Sequence, residues 1–302
     1  YVMPMQGAAV VTMVLLFLYG ILTGFSISTE RAVIMMGCML LARLAGRHYD
    51  GLSALSFSAI CQLLIHPMVL FQTGFLLSYG TVLGIYVFVD VFCDAWESKN
   101  PIWMAVAGTA GIELVTLPVL LTAYYEFSIL SIAANVLFLP LMGGILVTSL
   151  AGIGLGSITL FAGKFCFGFA HFCFALFEWV GNLFVRIPGA VVVTGKPAVW
   201  QVLLYYGSAV LFLILQKWRQ KKIFLLVLVF GVFILFLPVH NNFDLQITNL
   251  DVGQGDCSCI RTKNHTILID GGSSDVNKVG KYRMIPFLKS QGISYVSYLF
   301  LT

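Results

Sequence analysis

The strongest constraint in this sequence is an abrupt change from almost purely apolar stretches to ordinary polarity near residue 240. Ile223 to Pro238 is an almost unbroken apolar run, and polar and apolar residues alternate soon after it. The whole chain is 59% hydrophobic and only 10% charged, whereas soluble domains carry about 25% charged residues. Of the 30 charged residues, 11 fall in the last 63 positions. The sequence therefore predicts a transmembrane domain over residues 1–239 and a soluble domain over residues 240–302.

Apolar stretches near the length that crosses a bilayer, about 20 residues, recur along residues 1–239. Leu52 to Ile65 is shorter and is followed by the helix-breaking pair His66-Pro67. Ile129 to Gly163 is too long for one crossing, and Pro140 predicts a break within it. We therefore expect a polytopic α-helical membrane protein with eight to ten membrane segments.

A basic cluster sets the expected orientation of this domain. Lys217, Arg219, Lys221 and Lys222 precede the last apolar segment, and short basic loops tend to stay in the cytoplasm. The last segment then runs outward, and the soluble tail is expected on the outer face of the membrane.

The two ends of the sequence favour a fragment of a longer protein. Tyr1 lies close to an apolar segment, without an initiator Met or the basic start of a signal peptide. Thr302 follows a predicted strand. A net charge of +4 is too weak to indicate nucleic-acid binding by itself.

Arginines in the apolar part are the first candidates for a functional lining. Arg43 and Arg47 are four positions apart, which predicts one helical face, and Asp50 follows three positions later. Together with Arg31, these side chains either reach out to the membrane interface or line a polar passage. The sequence leaves both interpretations open.

Two further polar residues lie within apolar stretches. Glu113 is half-way along Ile102 to Ala123, too far from either end to reach the interface. It suits either a structural partner, such as a buried Arg, or a role in transport. Asn135 lies near Pro140, where an unwound helix would allow backbone groups to line a cavity.

In the tail, three carboxylates fall at predicted strand ends or turns, at Asp251, Asp256 and Asp270. Such positions can bring side chains to one edge of a sheet, although Asp-Gly turns are also common without any catalytic role. Gly253 and Gly255 flank Gln254 and allow the backbone to approach a ligand or a neighbouring strand. Neither His240 nor His265 has a partner at metal-ligand spacing. The predicted order of elements is β-β-β-α-β, typical of the start of an α/β domain.

Two sets of motifs resemble a known family, the ComEC-type competence proteins. The membrane set comprises Gly24-Phe25-Ser26-Ile27-Ser28-Thr29-Glu30-Arg31-Ala32, Ala42 to Asp50, Gly74-Phe75-Leu76-Leu77-Ser78-Tyr79 and the residues Pro67, Pro118, Phe127, Asn135 and Pro140. The tail set comprises Asn249-Leu250-Asp251-Val252-Gly253-Gln254-Gly255-Asp256 and Thr266-Ile267-Leu268-Ile269-Asp270-Gly271-Gly272. The tail set resembles the opening of that family's metallo-β-lactamase-like domain. Glu113 and Cys257 depart from the family pattern, and the family's HxHxDH metal motif would follow Thr302.

The resemblance implies a membrane channel component that takes up single-stranded DNA during natural transformation. Arg31, Arg43, Arg47, Asp50, Glu113 and Asn135 would line the passage. The full-length protein would bind a divalent metal, zinc or manganese, in a nuclease-like domain, whereas this fragment holds no metal ligands and is expected to be inactive. Asp270 would orient metal ligands rather than bind metal. Whether the full-length protein is an active DNA phosphodiesterase stays open.

The resemblance also implies a location and partners. The chain is expected in the bacterial inner (plasma) membrane, in contact with membrane lipid. Its partners would be single-stranded DNA, a DNA receptor and a cytoplasmic translocation ATPase, and a homo-oligomer is compatible with the sequence. Two other functions fit the residues as well: a secondary transporter of a small anionic solute, and a membrane-anchored metal-dependent hydrolase.

Overall fold

The computed structural model describes residues 5–95, 100–187, 189–216, 221–237 and 244–301. By its internal contacts the chain divides into two compact units. The first unit comprises Tyr1–Lys99 and Ala110–Val119, and the second comprises Asn100–Thr109 and Leu120–Thr302. The tail therefore groups with the later helices, and the predicted domain boundary at residue 239 stays a prediction.

The first unit is helical. Its elements are α1 (Met5–Leu22), α2 (Ile27–Leu44), α3 (Gly51–Ile65), α4 (Thr73–Ala95) and the middle of α5 (Pro101–Tyr124). As the sequence predicts, α3 ends immediately before His66-Pro67, and a 3₁₀ turn then covers Pro67–Phe71. Asp50 begins α3 by accepting a hydrogen bond of 2.9 Å from the backbone N–H of Ser53.

Glycines allow two helices of the first unit to approach closely. A Cβ atom at Gly84 of α4 would lie 2.5 Å from the carbonyl oxygen of Gly111 on α5. The reverse distance, from a Cβ at Gly111 to the carbonyl oxygen of Gly84, is also 2.5 Å. Small residues at such crossings are a frequent device in membrane helices.

The second unit contains the later helices: α6 (Ser131–Gly156), α7 (Leu160–Arg186), α8 (Val199–Gln216) and α9 (Lys221–Phe236). The break predicted near Pro140 appears as a bend of 41° between Ser131–Phe138 and Leu141–Gly156, and α6 is otherwise one helix. Two short strands that the sequence did not predict, β1 (Glu126–Ser128) and β2 (Val191–Val193), pair antiparallel. They join the loop after α5 to the loop after α7.

Among the described residues, three helices are long and apolar enough to cross a membrane, and a fourth span results if the bent pair in α6 counts as one. They cover Thr73–Asp94, Pro101–Tyr124 and Leu160–Arg186. Four apolar helices are shorter, at Gly7–Leu22, Gly51–Ile65, Val199–Leu215 and Leu226–Phe236. These helices support a helical membrane protein, and the expected count of eight to ten segments stays a prediction.

The tail follows the predicted order of elements. It contains β3 (Leu245–Asn249), β4 (Cys257–Thr262), β5 (Thr266–Asp270), α10 (Ile285–Ser290), which a π-helical turn at Gly280–Met284 precedes, and β6 (Tyr298–Phe300). The four strands form one sheet in the order β3-β4-β5-β6, in which β5 and β6 are parallel and the other pairs antiparallel. Cys257 and Cys259 face the same side, as their spacing predicts, and lie in a buried core with Val252, Leu268 and Val279.

Candidate functional site

A buried polar network lies among apolar helices of the first unit. Ser58 and Gln62 of α3 and Tyr79 of α4 have relative exposures of 0%, 3% and 6%. The Tyr79 hydroxyl donates to the side-chain oxygen of Gln62 at 3.2 Å and lies 3.1 Å from Ser58 Oγ. Polar groups removed from water need such partners, since an unmatched one costs about 1–3 kcal/mol. The network is therefore a specific feature of the packing of α3 against α4.

The network also holds the start of α2, which carries Arg31. Gln62 Nε2 donates to the carbonyl oxygen of Ile27 at 2.8 Å. Ile27 follows a turn in which Gly24 and Phe25 both have positive φ. The family-like motif from Gly24 to Ala32 is thus attached to α3 through the side-chain amide of Gln62.

Arg31 is half-buried beside this network. It lies close enough to Tyr79 to interact with it electrostatically. Its Nε atom is buried and donates no hydrogen bond to any residue that the structure describes. A buried N–H of this kind is available to an acceptor beyond the described residues, such as water or an anionic ligand.

A cavity of about 180 Å³ adjoins the network. Gln62 and Glu30 contribute its polar groups, and Phe25, Ile34 and Ile65 are among its apolar walls. The cavity therefore places a polar amide, a carboxylate and aromatic surface next to one another within the first unit.

Arg43 and Arg47 do not share a helical face, so that prediction was wrong, and Asp50 begins the next helix, α3. Helix α2 ends at Leu44, and a left-handed residue at Gly46 turns the chain before Arg47. The side chains of all three residues are exposed. They lie at the opposite end of α2 from Arg31, about 18 Å away along the helix axis. The arginines therefore form two groups rather than one.

Glu113 and Asn135 belong to different units. Glu113 lies on α5 within the first unit and is buried, with 9% relative exposure, as its position in the apolar stretch predicts. Asn135 lies in the first part of α6, before the bend, and is partly buried. Their expected role as lining residues stays a prediction.

The three carboxylates of the tail do lie at one edge of its sheet. Asp251 follows β3, Asp256 precedes β4, and Asp270 ends β5 opposite Cys257. We call the edge marked by Asp251, Asp256 and Asp270 the acidic edge. Because β6 runs parallel to β5, the end of β6 points to the same edge.

Asp251 has a structural partner that sequence reasoning missed. Its carboxylate accepts a hydrogen bond from the Gly253 N–H at 3.1 Å and forms a 3.0 Å ion pair with Arg283. The Gly253 N–H and the Arg283 guanidinium both lower the pKa of Asp251 below its ordinary value. Within the same edge, burial raises the pKa of the Cys257 thiol, and the nearby Asp270 raises it further.

The glycines beside Gln254 allow the loop before β4 to approach the loop after β5 closely. A Cβ atom at Gly255 would lie 2.3 Å from the carbonyl oxygen of Gly272. The Gln254 carbonyl accepts a 3.0 Å hydrogen bond from the Ser274 N–H. Of the two uses that the sequence left open for these glycines, the structure thus displays contact with a neighbouring segment.

The acidic edge does not by itself fit a metal ion. Within the described parts of the chain, no three His, Cys, Asp or Glu residues are grouped so that they could hold one. Asp251 is also engaged by Arg283, which competes with any cation for its oxygens. His265 lies in the turn between β4 and β5, at the other edge of the sheet, and His240 lies outside the described residues.

The sequence pattern indicates some of the residues described above, such as Ser58 and Gln62, but gives no indication of others, such as Arg283. Ser58 and Gln62 are polar residues four positions apart in an apolar stretch, a spacing that predicts one shared helical face. Arg283 carried no comparable signal, because its partner lies 32 residues earlier in the chain. The basic residues Lys217 and Arg219 lie outside the described residues, as does Thr302.

Comparison with known proteins decides the family. A family model described as "Competence protein" matches residues 2–220. The chain belongs to the competence protein family. The resemblance that the membrane motifs indicated is thereby confirmed, and the match covers the polar network, Arg31 and both units' membrane helices up to the end of α8.

Two competence relatives extend the similarity across the tail. ComE operon protein 3 of Bacillus subtilis (strain 168) is 27% identical over 320 aligned residues, which cover 98% of this chain and 40% of the relative. Competence protein ComA of Neisseria gonorrhoeae is 27% identical over 297 residues, which cover 94% of this chain and 39% of the relative. This chain thus spans about two fifths of the length of these competence proteins. No solved structure matches it, and the metallo-β-lactamase-like assignment of the tail stays a prediction.

Proposed function

We propose that this chain is the core of a membrane channel component that takes up single-stranded DNA during natural transformation. Membership of the competence family is the observation that carries the proposal, since the family model matches residues 2–220. The site that we assign to the strand is the cavity beside Gln62 together with Arg31, next to the buried network of Ser58, Gln62 and Tyr79. Phosphates do not enter hydrocarbon, so a strand needs hydrated polar groups along its route.

The chemistry of this site supports a nucleic-acid strand. Single strands are bound by cationic groups that contact phosphates and by aromatic rings that stack on bases. Arg31 supplies a buried donor without a hydrogen-bond partner among the described residues, and Phe25 supplies aromatic surface in the cavity beside Gln62. Arg43, Arg47 and Asp50 are proposed as a separate, exposed group on the same route.

We propose further that the tail lies on the outer face of the inner membrane. Gln201, buried at 1% relative exposure, donates from Nε2 to the carbonyl oxygens of Ile234 and Leu237, each at 2.8 Å. These bonds tie the start of α8 to the end of α9, so that the two helices run antiparallel. Gln216 and Lys221, between which Lys217 and Arg219 of the basic cluster lie in the sequence, are then about 25 Å from the start of α8 and the end of α9. This separation supports a cytoplasmic cluster and an outer tail.

In the longer protein, the tail is proposed to open a metallo-β-lactamase-like nuclease domain. That domain would use a divalent metal, zinc or manganese, whose ligands come from outside the described residues. The proposed partners remain a DNA receptor, a cytoplasmic translocation ATPase, membrane lipid and further copies of the chain.

Transformation frequency tests the proposal. Arg31→Ala, Arg43→Ala and Arg47→Ala would each be introduced into the full-length protein in a transformable host that has lost its own copy. We expect fewer transformants for Arg31→Ala than for the exposed-site variants, at equal amounts of protein in the membrane. Normal transformation in all three variants would refute the assignment of these residues to the route.

A secondary transporter of a small anionic solute is the second candidate, because Glu113 is buried in the first unit. Solute uptake that Glu113→Gln abolishes and that DNA does not affect would favour this function over the DNA channel. Deletion of the tail separates the DNA channel from an anchored hydrolase: a channel should still bind single strands, whereas a membrane anchor alone should not.

A further inference from the structure

The tail makes direct contacts with the β1–β2 sheet and the loop that follows it. Lys289 of α10 forms a 2.6 Å ion pair with Glu126 of β1. The Lys196 N–H, after β2, donates to the carbonyl oxygen of Ser290 at 2.9 Å. These contacts connect the loops after α5 and α7 to the C-terminal end of α10, all within the second unit.

The contacts are closely fitted. The side chains of Lys289 and Glu126 are only 30% and 32% exposed. Gly195 and Gly292 both have positive φ, and a Cβ atom at Gly195 would lie 3.1 Å from the Gly292 backbone nitrogen. Two glycines in a left-handed conformation at one backbone contact indicate a specific docking geometry rather than an incidental touch.

The docked end of α10 lies at the edge of the tail sheet that is opposite the acidic edge. Arg261, near the end of β4, donates to the carbonyl oxygen of Gln291. The Ser297 N–H donates to the carbonyl oxygen of Thr266, the first residue of β5. Leu245, where β3 begins, pairs with Thr262 at this same edge. The chain therefore enters the tail from α9 and docks on the β1–β2 sheet at one edge, and Asp270 lies at the other.

We propose that Glu126, Lys289 and the Gly195–Gly292 contact are positioning residues that hold the acidic edge away from the β1–β2 sheet of the second unit. The docked edge and the acidic edge of the tail sheet are about 13 Å apart, the length of β5 from Thr266 to Asp270. A substrate handled at the acidic edge would then have to pass the height of the tail sheet to reach the β1–β2 sheet. This proposal holds whatever the substrate is and does not depend on DNA uptake.

Cysteine cross-linking in membranes that contain the full-length protein tests this orientation. Lys196→Cys with Ser290→Cys joins two segments that share a backbone hydrogen bond, within the range of a disulfide. Lys196→Cys with Asp256→Cys is the matched control, because Asp256 lies at the acidic edge. The two single Lys196→Cys and Ser290→Cys variants account for the native thiols.

We expect oxidation to cross-link the first pair at least about tenfold faster than the control pair, because disulfides need Cα atoms within about 7 Å. The cross-linked peptides would be identified by mass spectrometry. Equal rates for the two pairs, or no cross-link in the first pair, would overturn the proposed orientation.

Charge reversal then tests the ion pair itself. Glu126→Lys should slow cross-linking of the first pair by about fivefold, and adding Lys289→Glu should restore the rate, because the reversed pair attracts again. Lys281→Glu, a charge change elsewhere in the tail, is the control and should have no effect. An unchanged rate in Glu126→Lys would remove Glu126 and Lys289 from the positioning contact.

Discussion

The polar network of the first unit is buried, whereas the polar residues of the acidic edge of the tail are exposed to solvent. In the first unit, Ser58, Gln62 and Tyr79 are buried among apolar helices and bond to one another. In the tail, the Asp251 side chain is 87% exposed and pairs with Arg283 at the surface. Removing one member of the buried set leaves its partners unsatisfied, whereas water replaces a lost partner at the exposed edge.

This difference decides how each region can be tested. A variant in the network changes stability as well as function, so that every functional assay there needs a measure of folded protein. A variant at the acidic edge removes an exposed charge with little change in stability. The predictions below separate the two regions on this basis.

The largest loss of stability is expected at the crossing of α4 and α5, where Gly84 lies against Gly111. Gly84→Val should destabilise the first unit by about 3 kcal/mol, because its side chain meets the Gly111 carbonyl and forces α4 away from α5. Gly37→Val on α2 is the matched control, since nothing lies within 4 Å of a Cβ there. Thermal unfolding in detergent measures both, and equal melting temperatures would show that the crossing is not tight.

A smaller effect is expected within the network. Gln62→Leu should cost about 2 kcal/mol, because the Ile27 carbonyl and the Tyr79 hydroxyl lose their partner. Tyr79→Phe should cost about 1 kcal/mol. The double variant should cost less than the two single costs added together, since the residues share a hydrogen bond. Strict additivity in thermal or denaturant unfolding would contradict a coupled network.

The smallest effect is expected at the acidic edge and depends on pH. Since the folded-state pKa of Asp251 is lowered, its interaction with Gly253 and Arg283 stabilises the tail above the ordinary Asp pKa. That contribution is lost as the pH falls through the lowered pKa. Asp251→Asn should therefore weaken the tail at pH 7, and the difference from the parent protein should disappear once the pH lies below the lowered pKa of Asp251.

Hydrogen exchange of tail peptides in the intact protein measures this dependence. Asp275→Asn, at another exposed carboxylate of the tail, serves as the control. A difference between Asp251→Asn and the parent protein that persists unchanged at low pH would contradict the assigned interaction.

Local patterns predicted much of this fold. The apolar stretches located the helices, and the end of α3 before His66-Pro67 followed from the geometry of proline. In the tail, the alternation of polar and apolar residues predicted the order β-β-β-α-β that the structure contains. These features depend on residues that are neighbours in the sequence, so that the pattern of a single sequence is enough to predict them.

The features that the sequence did not predict depend on distant partners. β1 and β2 are three residues each and pair across about 60 intervening positions, too short and too far apart for a pattern to indicate. The end of α2 at Leu44, which separates Arg43 from Arg47, depends on a turn at Gly46 that helical spacing alone did not reveal. The ion pair of Glu126 with Lys289 likewise needs the folded tail.

Site-specific cross-linking to labelled single-stranded DNA tests the central claim most directly. A photoreactive residue would replace Ile34, which lines the cavity beside Gln62, or Leu15, which is exposed on α1 outside that cavity, in the full-length protein during DNA uptake. We predict cross-links to the strand from position 34 and none from position 15. Uptake that proceeds normally without a cross-link at position 34, or with equal cross-links at both positions, would contradict a DNA route along the network.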